Sequence, residues 1–152
     1  MITIAIDDPD RPDMRALLEA HLAFARGHSP EGSGHALDVD ALKAPDMTLW
    51  SAREGADLLG CAALKELAPT HGELKSMHTR LSHRGRGVAR ALVAHVIDEA
   101  RRRGYTRLSL ETGKSEDFAP AQMLYAALGF TPCPPFGPYL GDPFSYCMTR
   151  DV

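Results

Sequence analysis

The sequence predicts a mixed α/β fold, one sheet with helices packed on both faces, and three observations carry that prediction. Short runs of alternating or β-branched residues interleave with longer runs whose apolar residues recur at helical spacing, so strands and helices are not segregated into blocks. Proline and glycine stand at the edges of the longer runs, where helices start and stop. The composition, 44% hydrophobic and 24% charged, is that of a globular chain, and 152 residues without a repeat or linker suit one domain over 1–152.

MITIAI alternates and is rich in isoleucine, a first strand. Residues 7–28 follow as a helix with Leu17, Leu18, His21, Leu22 and Ala25 on one face. SPEGSGHA is polar and glycine-rich, a loop, and LDVDALK after it reads as a short helix opened by Asp38. MTLWSARE and DLLGCAALKEL are two strands of a hairpin turning at Gly55 and Ala56, and GELKSMHTRL is a fourth strand. A long helix spans about Gly87 to Arg103, with Ala89, Leu92, Val93, Val96, Ile97 and Ala100 as its apolar stripe. Arg101, Arg102 and Arg103 complement the negative end of its dipole, and Gly104 ends it. TRLSLET is the fifth strand. APAQMLYAALGF is a shorter helix with Pro120 in its first turn, and PFSYCMTR is the last strand. The predicted order is βα(α)βββαβαβ.

Composition also excludes functions. A formal net charge of −3 gives no basic footprint for nucleic acid. Cys61, Cys133 and Cys147 are odd in number, widely spaced and without a CxxC pair, so they predict neither a disulfide framework nor a zinc site and fit a reducing compartment. The start lacks a basic region, and no apolar run approaches the roughly 18 residues of a membrane span. A cytoplasmic protein without a membrane partner is expected.

RGRGVA, residues 84–89, stands directly before the long helix. A helix start presents about four unpaired N–H groups and roughly half a positive charge. Glycines there remove the Cβ atoms that would keep an anion away. Charge-assisted hydrogen bonds of about 1.5–3 kcal/mol each outweigh a capping bond of about 1 kcal/mol, so this end is built for phosphate rather than for a cap. A P-loop would need GxxxxGK, and no lysine follows. A dinucleotide fingerprint would need glycine at position 90, where Arg90 stands.

The pattern that does fit is Arg or Gln, two residues, Gly, one residue, Gly or Ala, met by Arg84, Gly87 and Ala89. With the strand before, the helix after, RLSLET and the helix ending in Leu, Tyr and Gly-Phe, residues 71 to 131 resemble the GNAT superfamily of acetyl-CoA-dependent N-acetyltransferases, in its small bacterial single-domain form. The resemblance implies that the fourth strand splays from the fifth and that the pantetheine arm of acetyl-CoA lies in the gap. Backbone groups of Met77, His78 and Thr79 would then pair with the arm, and Arg84, Gly85, Arg86, Gly87, Val88 and Ala89 would hold the pyrophosphate, with no metal. Tyr125 matches the tyrosine that faces the sulfur as general acid, and Glu73 the fourth-strand glutamate that serves as base, often through water. Alternation also puts Glu73 on one face with Lys75, where a surface ion pair is the alternative, and His78 is a second candidate base. Phe118 stands where many members carry asparagine.

By the same resemblance the acceptor is held by HSPEGSGHALD and CPPFGPYLGDPFS, which contain His28, His35, Tyr139, Asp142 and Ser145. The expected acceptor is an amine of a small metabolite or amino-acid-like molecule, and many relatives form homodimers. Two other readings stay open at this stage: a non-catalytic CoA-binding regulatory module of the same fold, and a nucleotide-binding oxidoreductase with Glu111 holding a ribose.

Overall fold

Among the described residues seven strands form one sheet in the order β1-β2-β3-β4-β5-β7-β6. The structure, a computed structural model, describes residues 1–33, 35–80, 85 and 87–152. The strands are β1 (Thr3–Ile6), β2 (Met47–Glu54), β3 (Asp57–Ala68), β4 (His71–Thr79), β5 (Arg107–Gly113), β6 (Thr131–Cys133) and β7 (Ser145–Asp151). Every neighbouring pair is antiparallel except β4 and β5, which run parallel. A parallel pair needs a crossover, and the long helix supplies it.

The helices are α1 (Pro12–Gly27), α2 (Val88–Arg102) and α3 (Ala119–Ala127). On one face Met14, Leu17 and Leu18 of α1 pack with Leu58, Cys61 and Ala63 of β3. On the other, the α2 stripe of Leu92, Val93, Val96, Ile97 and Ala100 packs with Leu59, Ala62, Leu64, Leu74, Leu108 and Leu110. Burying Leu92, Val93, Val96 and Ile97 contributes about 1.5–3 kcal/mol each, which holds α2, and the glycine turn before it, in a fixed place on the sheet. The predicted α2 stripe is observed from Leu92 to Ala100, with Val88 buried in place of the half-buried Ala89, and on α1 Met14 joins Leu17, Leu18 and Ala25 while His21 and Leu22 are only partly buried.

Two elements differ from the sequence reading. LDVDALK is only a 3₁₀ turn at Ala41–Lys43, but Asp38 does open it, its Oδ1 accepting the Ala41 N–H at 2.8 Å. The predicted order has no strand between the last helix and PFSYCMTR, where the structure has the short β6 containing Pro132. It is an edge strand, whose outer side leaves no ladder bond for Pro132 to break.

Candidate active site

The site is a fork in the sheet. β4 pairs with β5 only from His71–Arg107 to Leu74–Leu110; beyond that β4 stays with β3, and β5 continues with β7 as far as Gly113–Ser145. The cause lies in β4. Cys61 pairs with His78 and Ala63 with Lys75, so Ser76 and Met77 together oppose Ala62 alone, and Ser76 takes the left-handed φ of +52° that such a bulge requires. Gly60 admits the bend, since a Cβ there would stand 2.8 Å from the His78 carbonyl oxygen. A cavity of about 460 Å³ occupies the fork and opens toward both α1 and α2.

At its α2 end the cavity is lined by Gly85, Gly87, Val88 and Ala89. Gly87 is the N-cap with φ +78° and makes no side-chain cap, and Gly85 has φ +81°. A Cβ on either glycine would meet none of the described residues within 4 Å, which leaves room there for a ligand. Arg84 and Arg86, the cations expected beside the pyrophosphate, lie outside the described residues. The Arg80 N–H donates to the Leu59 carbonyl at 2.8 Å, and antiparallel alternation then turns the N–H and C=O of Thr79 and Met77 toward the fork. The backbone of His78 faces β3 by the same rule. The buried hydroxyls of Ser76 and Thr79 line the cavity without a hydrogen-bond partner among the described residues. Uncapped helix amides, outward strand amides and orphaned hydroxyls along one slot fit a long, polar, phosphate-terminated molecule such as a coenzyme A thioester.

Tyr125 stands on α3 beside this slot, 6% exposed and edge-on to Phe130. Among the described residues its hydroxyl has no hydrogen-bond partner, and burial alone pushes the phenol well above its ordinary range. It stays protonated and keeps its donor proton. The expected packing against Leu124 and Leu128 coexists with this exposure to the cavity, since both leucines border the same core.

The α1 side of the cavity carries the charge. Glu73, predicted as base or as half of a surface ion pair, is paired with Lys75, but the pair is buried: Lys75 Nζ donates to Glu73 Oε2 at 3.1 Å, and Glu73 is 2% exposed. The Tyr139 hydroxyl donates to the same oxygen at 2.5 Å and accepts from Lys75 at 2.7 Å. The surface reading missed what covers the strand, a 3₁₀ turn at Gly137–Tyr139. His78 meets His21 of α1, Nδ1 to Nδ1, at 3.0 Å, and burial, then the neighbouring His78, push His21 down to about 4. His35 reaches Asp142 at 2.7 Å and Ser33 donates to the other oxygen at 2.9 Å, which closes the first loop onto the last one. The His35 bond first, and bonds from Phe144 and Ser33, hold the Asp142 carboxyl down at about 2. His28 bonds instead to Phe24 of its own helix, so it stands apart from this tie.

Sequence reasoning missed His21, read as part of an apolar face, and Lys75, read only as a surface partner. Glu111 was weighed only as a ribose ligand; it lies on β5 at the mouth of the fork, and burial pushes its carboxyl above the ordinary range. A signal for His21 was present, because it is the one strongly polar residue in the stripe Leu17, Leu18, His21, Leu22, Ala25. Among the described residues no three His, Cys, Asp or Glu side chains form a group that could hold a metal ion, and no helix is long and apolar enough to cross a membrane.

Comparison with known proteins agrees with this geometry. The chain is 48% identical to the uncharacterized N-acetyltransferase YsnE of Bacillus subtilis over 98% of its length and 99% of that protein's. It is 34% identical to the IAA acetyltransferase of Azospirillum brasilense over 99% of this chain and 98% of that one. In fold it matches a GNAT family acetyltransferase of Elizabethkingia anophelis solved with acetyl-CoA, at a TM-score of 0.73 and 19% identity over 99% of this chain and 98% of that one. The sequence profile of the Acetyltransferase (GNAT) family covers residues 13–130, and the chain belongs to that family.

Proposed function

We propose that the protein is an acetyl-CoA-dependent N-acetyltransferase that moves the acetyl group directly to the amine of a small acceptor, within the cytoplasm. The observation that carries this reading is the fork itself, with an uncapped glycine-headed helix at one end and the unpartnered Tyr125 hydroxyl beside it. Gly85 to Ala89 would hold the pyrophosphate, and the backbone of Met77 and Thr79 would pair with the pantetheine arm. The cosubstrate supplies an activated thioester. A main-chain N–H group at Met77 or Thr79 would polarise its carbonyl.

The acceptor is presented from the α1 side. An alkylamine with pKa near 10.4 costs about 4–5 kcal/mol to deprotonate at pH 7, so a group of the fork must take its proton. The amine nitrogen then bonds to the acyl carbon as the carbon–sulfur bond breaks, and the thiolate leaves. Tyr125, kept protonated by burial, donates a hydrogen bond to the departing sulfur. The cysteines take no part: Cys61 donates to the Ser76 carbonyl at 3.3 Å, and burial pushes its thiol up to about 12.

Thermal-shift titration with acetyl-CoA, CoA, NADH and ATP tests the reading. A selective rise with the two CoA compounds is expected, about 2.7 kcal/mol at one hundred times the dissociation constant. Gly87→Asp should abolish that rise while leaving the unliganded melting temperature within a few degrees, because aspartate tolerates the left-handed φ and its carboxylate occupies the phosphate position. A CoA response that survives Gly87→Asp, or a larger response to NADH, refutes the placement.

A further inference from the structure

The wall of the cavity on the α1 side is aromatic. Phe24 of α1, Phe118 before α3 and Phe144 before β7 form a row of edge-on rings, with centroids 5.5 and 6.0 Å apart and interplanar angles of 71° and 76°. All three line the cavity, and each is only half-buried. Gly113 makes the row possible, since a Cβ there would fall 2.4 Å from Phe118 and 2.9 Å from Phe144. Phe118, standing where many members carry asparagine, is thus built into this wall.

Two residues back on β5, Glu111 shares the face of Gly113, about 6.6 Å along the strand. It enters no ion pair among the described residues. The other carboxylate of the fork, Glu73, already has its Oε2 engaged by Lys75 and Tyr139. Glu73 is paired with Lys75, which leaves the carboxylate charge of Glu111, facing that pair and His35, without an ion-pair partner among the described residues. That charge favours a cation and repels an acid. Exposed rings beside it favour a flat apolar body over water.

Building on the transferase reading above, we propose that the acceptor is a primary amine without a carboxylate, carried on an aromatic body. The body lies against Phe24, Phe118 and Phe144, and the nitrogen reaches Glu111, which takes its proton. In the step, Glu111 receives one proton from the ammonium, the freed nitrogen lone pair forms the bond to the acetyl carbon, and the electrons of the carbon–sulfur bond leave with the thiolate. The thiolate is protonated on release as CoA, and the nitrogen loses its second proton to water. Glu73 is a positioning residue that holds Lys75 and Tyr139 at the fork.

The test is acetyl-CoA-dependent thiol release by the full chain with 2-phenylethylamine, n-butylamine, phenylalanine and phenylacetic acid, with the acetylated product identified by mass spectrometry. We expect kcat/KM for 2-phenylethylamine at least tenfold above that for n-butylamine or phenylalanine, and no product from phenylacetic acid. Phe144→Ala should narrow the aryl-over-alkyl ratio to below threefold. Glu111→Gln should lower kcat about 100-fold at pH 7 and recover as the pH rises toward the pKa of the amine, with acetyl-CoA affinity unchanged. A purely structural glutamate gives no such recovery. Acetyl-CoA binding without aryl preference, or a Glu111→Gln enzyme with an unaltered pH profile, overturns this proposal and leaves the transferase reading standing. Absent acetyl-CoA binding overturns the transferase reading and this proposal with it.

Discussion

The pair His21 and His78 puts a buried, uncharged imidazole against a second ring, and this has a measurable cost in acid. The folded His21 resists protonation until about pH 4, whereas its ordinary value is 6.5. Acid therefore protonates the unfolded chain first. The contribution of this group is complete above pH 6.5 and is lost as the pH falls toward 4, on the order of 3 kcal/mol over that window. Urea unfolding at pH 7.5 and 4.5 should show a loss larger in the native protein than in His21→Gln by about that amount; equal losses would falsify the assignment. At this scale Gly87 was legible in the sequence, because its meaning depends on its neighbours in the chain. The burial of Glu73 was not, because its partner Tyr139 is 66 positions away and strand alternation names a face without naming its cover.

At the scale of the element, one extra residue in β4 does the work of opening the sheet. HGELKSMHT alternates well enough to predict a strand, yet nothing in it marks where the alternation slips, since a bulge is defined by what the partner strand does opposite it. The structure places the slip at Ser76. Lys75 faces α1 with Ala63, Met77 packs on the α2 side, and His78 faces α1 with Cys61. Removing Ser76 leaves Met77 opposite Ala62 and every flanking side chain on its present face. Deletion of Ser76 should thus yield a folded protein with a regular β3–β4 ladder and a narrowed fork, with CoA affinity down at least tenfold. Far-ultraviolet circular dichroism and calorimetric titration check the two halves of that expectation, and undiminished affinity would separate the bulge from the site. The hairpin at Gly55 and the stop at Gly104 were foreseen because both depend on local turn chemistry. The edge strand β6, which contains Pro132, has no counterpart in the predicted order, since its pairing is defined by its partner β7.

For the whole molecule, order and faces were readable from periodicity, whereas closure was not. The sheet consists of β1 to β4 on one side of the fork and β5, β7 and β6 on the other, joined in the ladder only over His71–Leu74 and Arg107–Leu110. The second connection runs over the α1 face, where Asp142 receives His35 at 2.7 Å and Ser33 at 2.9 Å, more than a hundred residues apart in the chain. His35 also lies edge-on to Tyr139, which ties the same closure to Glu73 and Lys75. None of these residues stood out alone, since a histidine in a glycine-rich loop and a GDP turn are common surface features. Their value lies in joining the two sides of the cavity at its α1 end, where the proposed acceptor would enter. Asp142→Ala removes both bonds, and with them the one its Oδ1 accepts from the Phe144 N–H at 2.9 Å, while the core packing of α1 and α2 on the sheet is left in place. Amides of residues 29–37 should then exchange with solvent at least tenfold faster, while those of β3 and α2 keep their protection. The acceptor KM should rise severalfold, and acetyl-CoA affinity should stay within twofold, because the glycine turn at Gly85 and Gly87 lies at the opposite end of the cavity. If exchange rises across α2 as well, the tie supports the whole fold instead of closing one mouth of the fork.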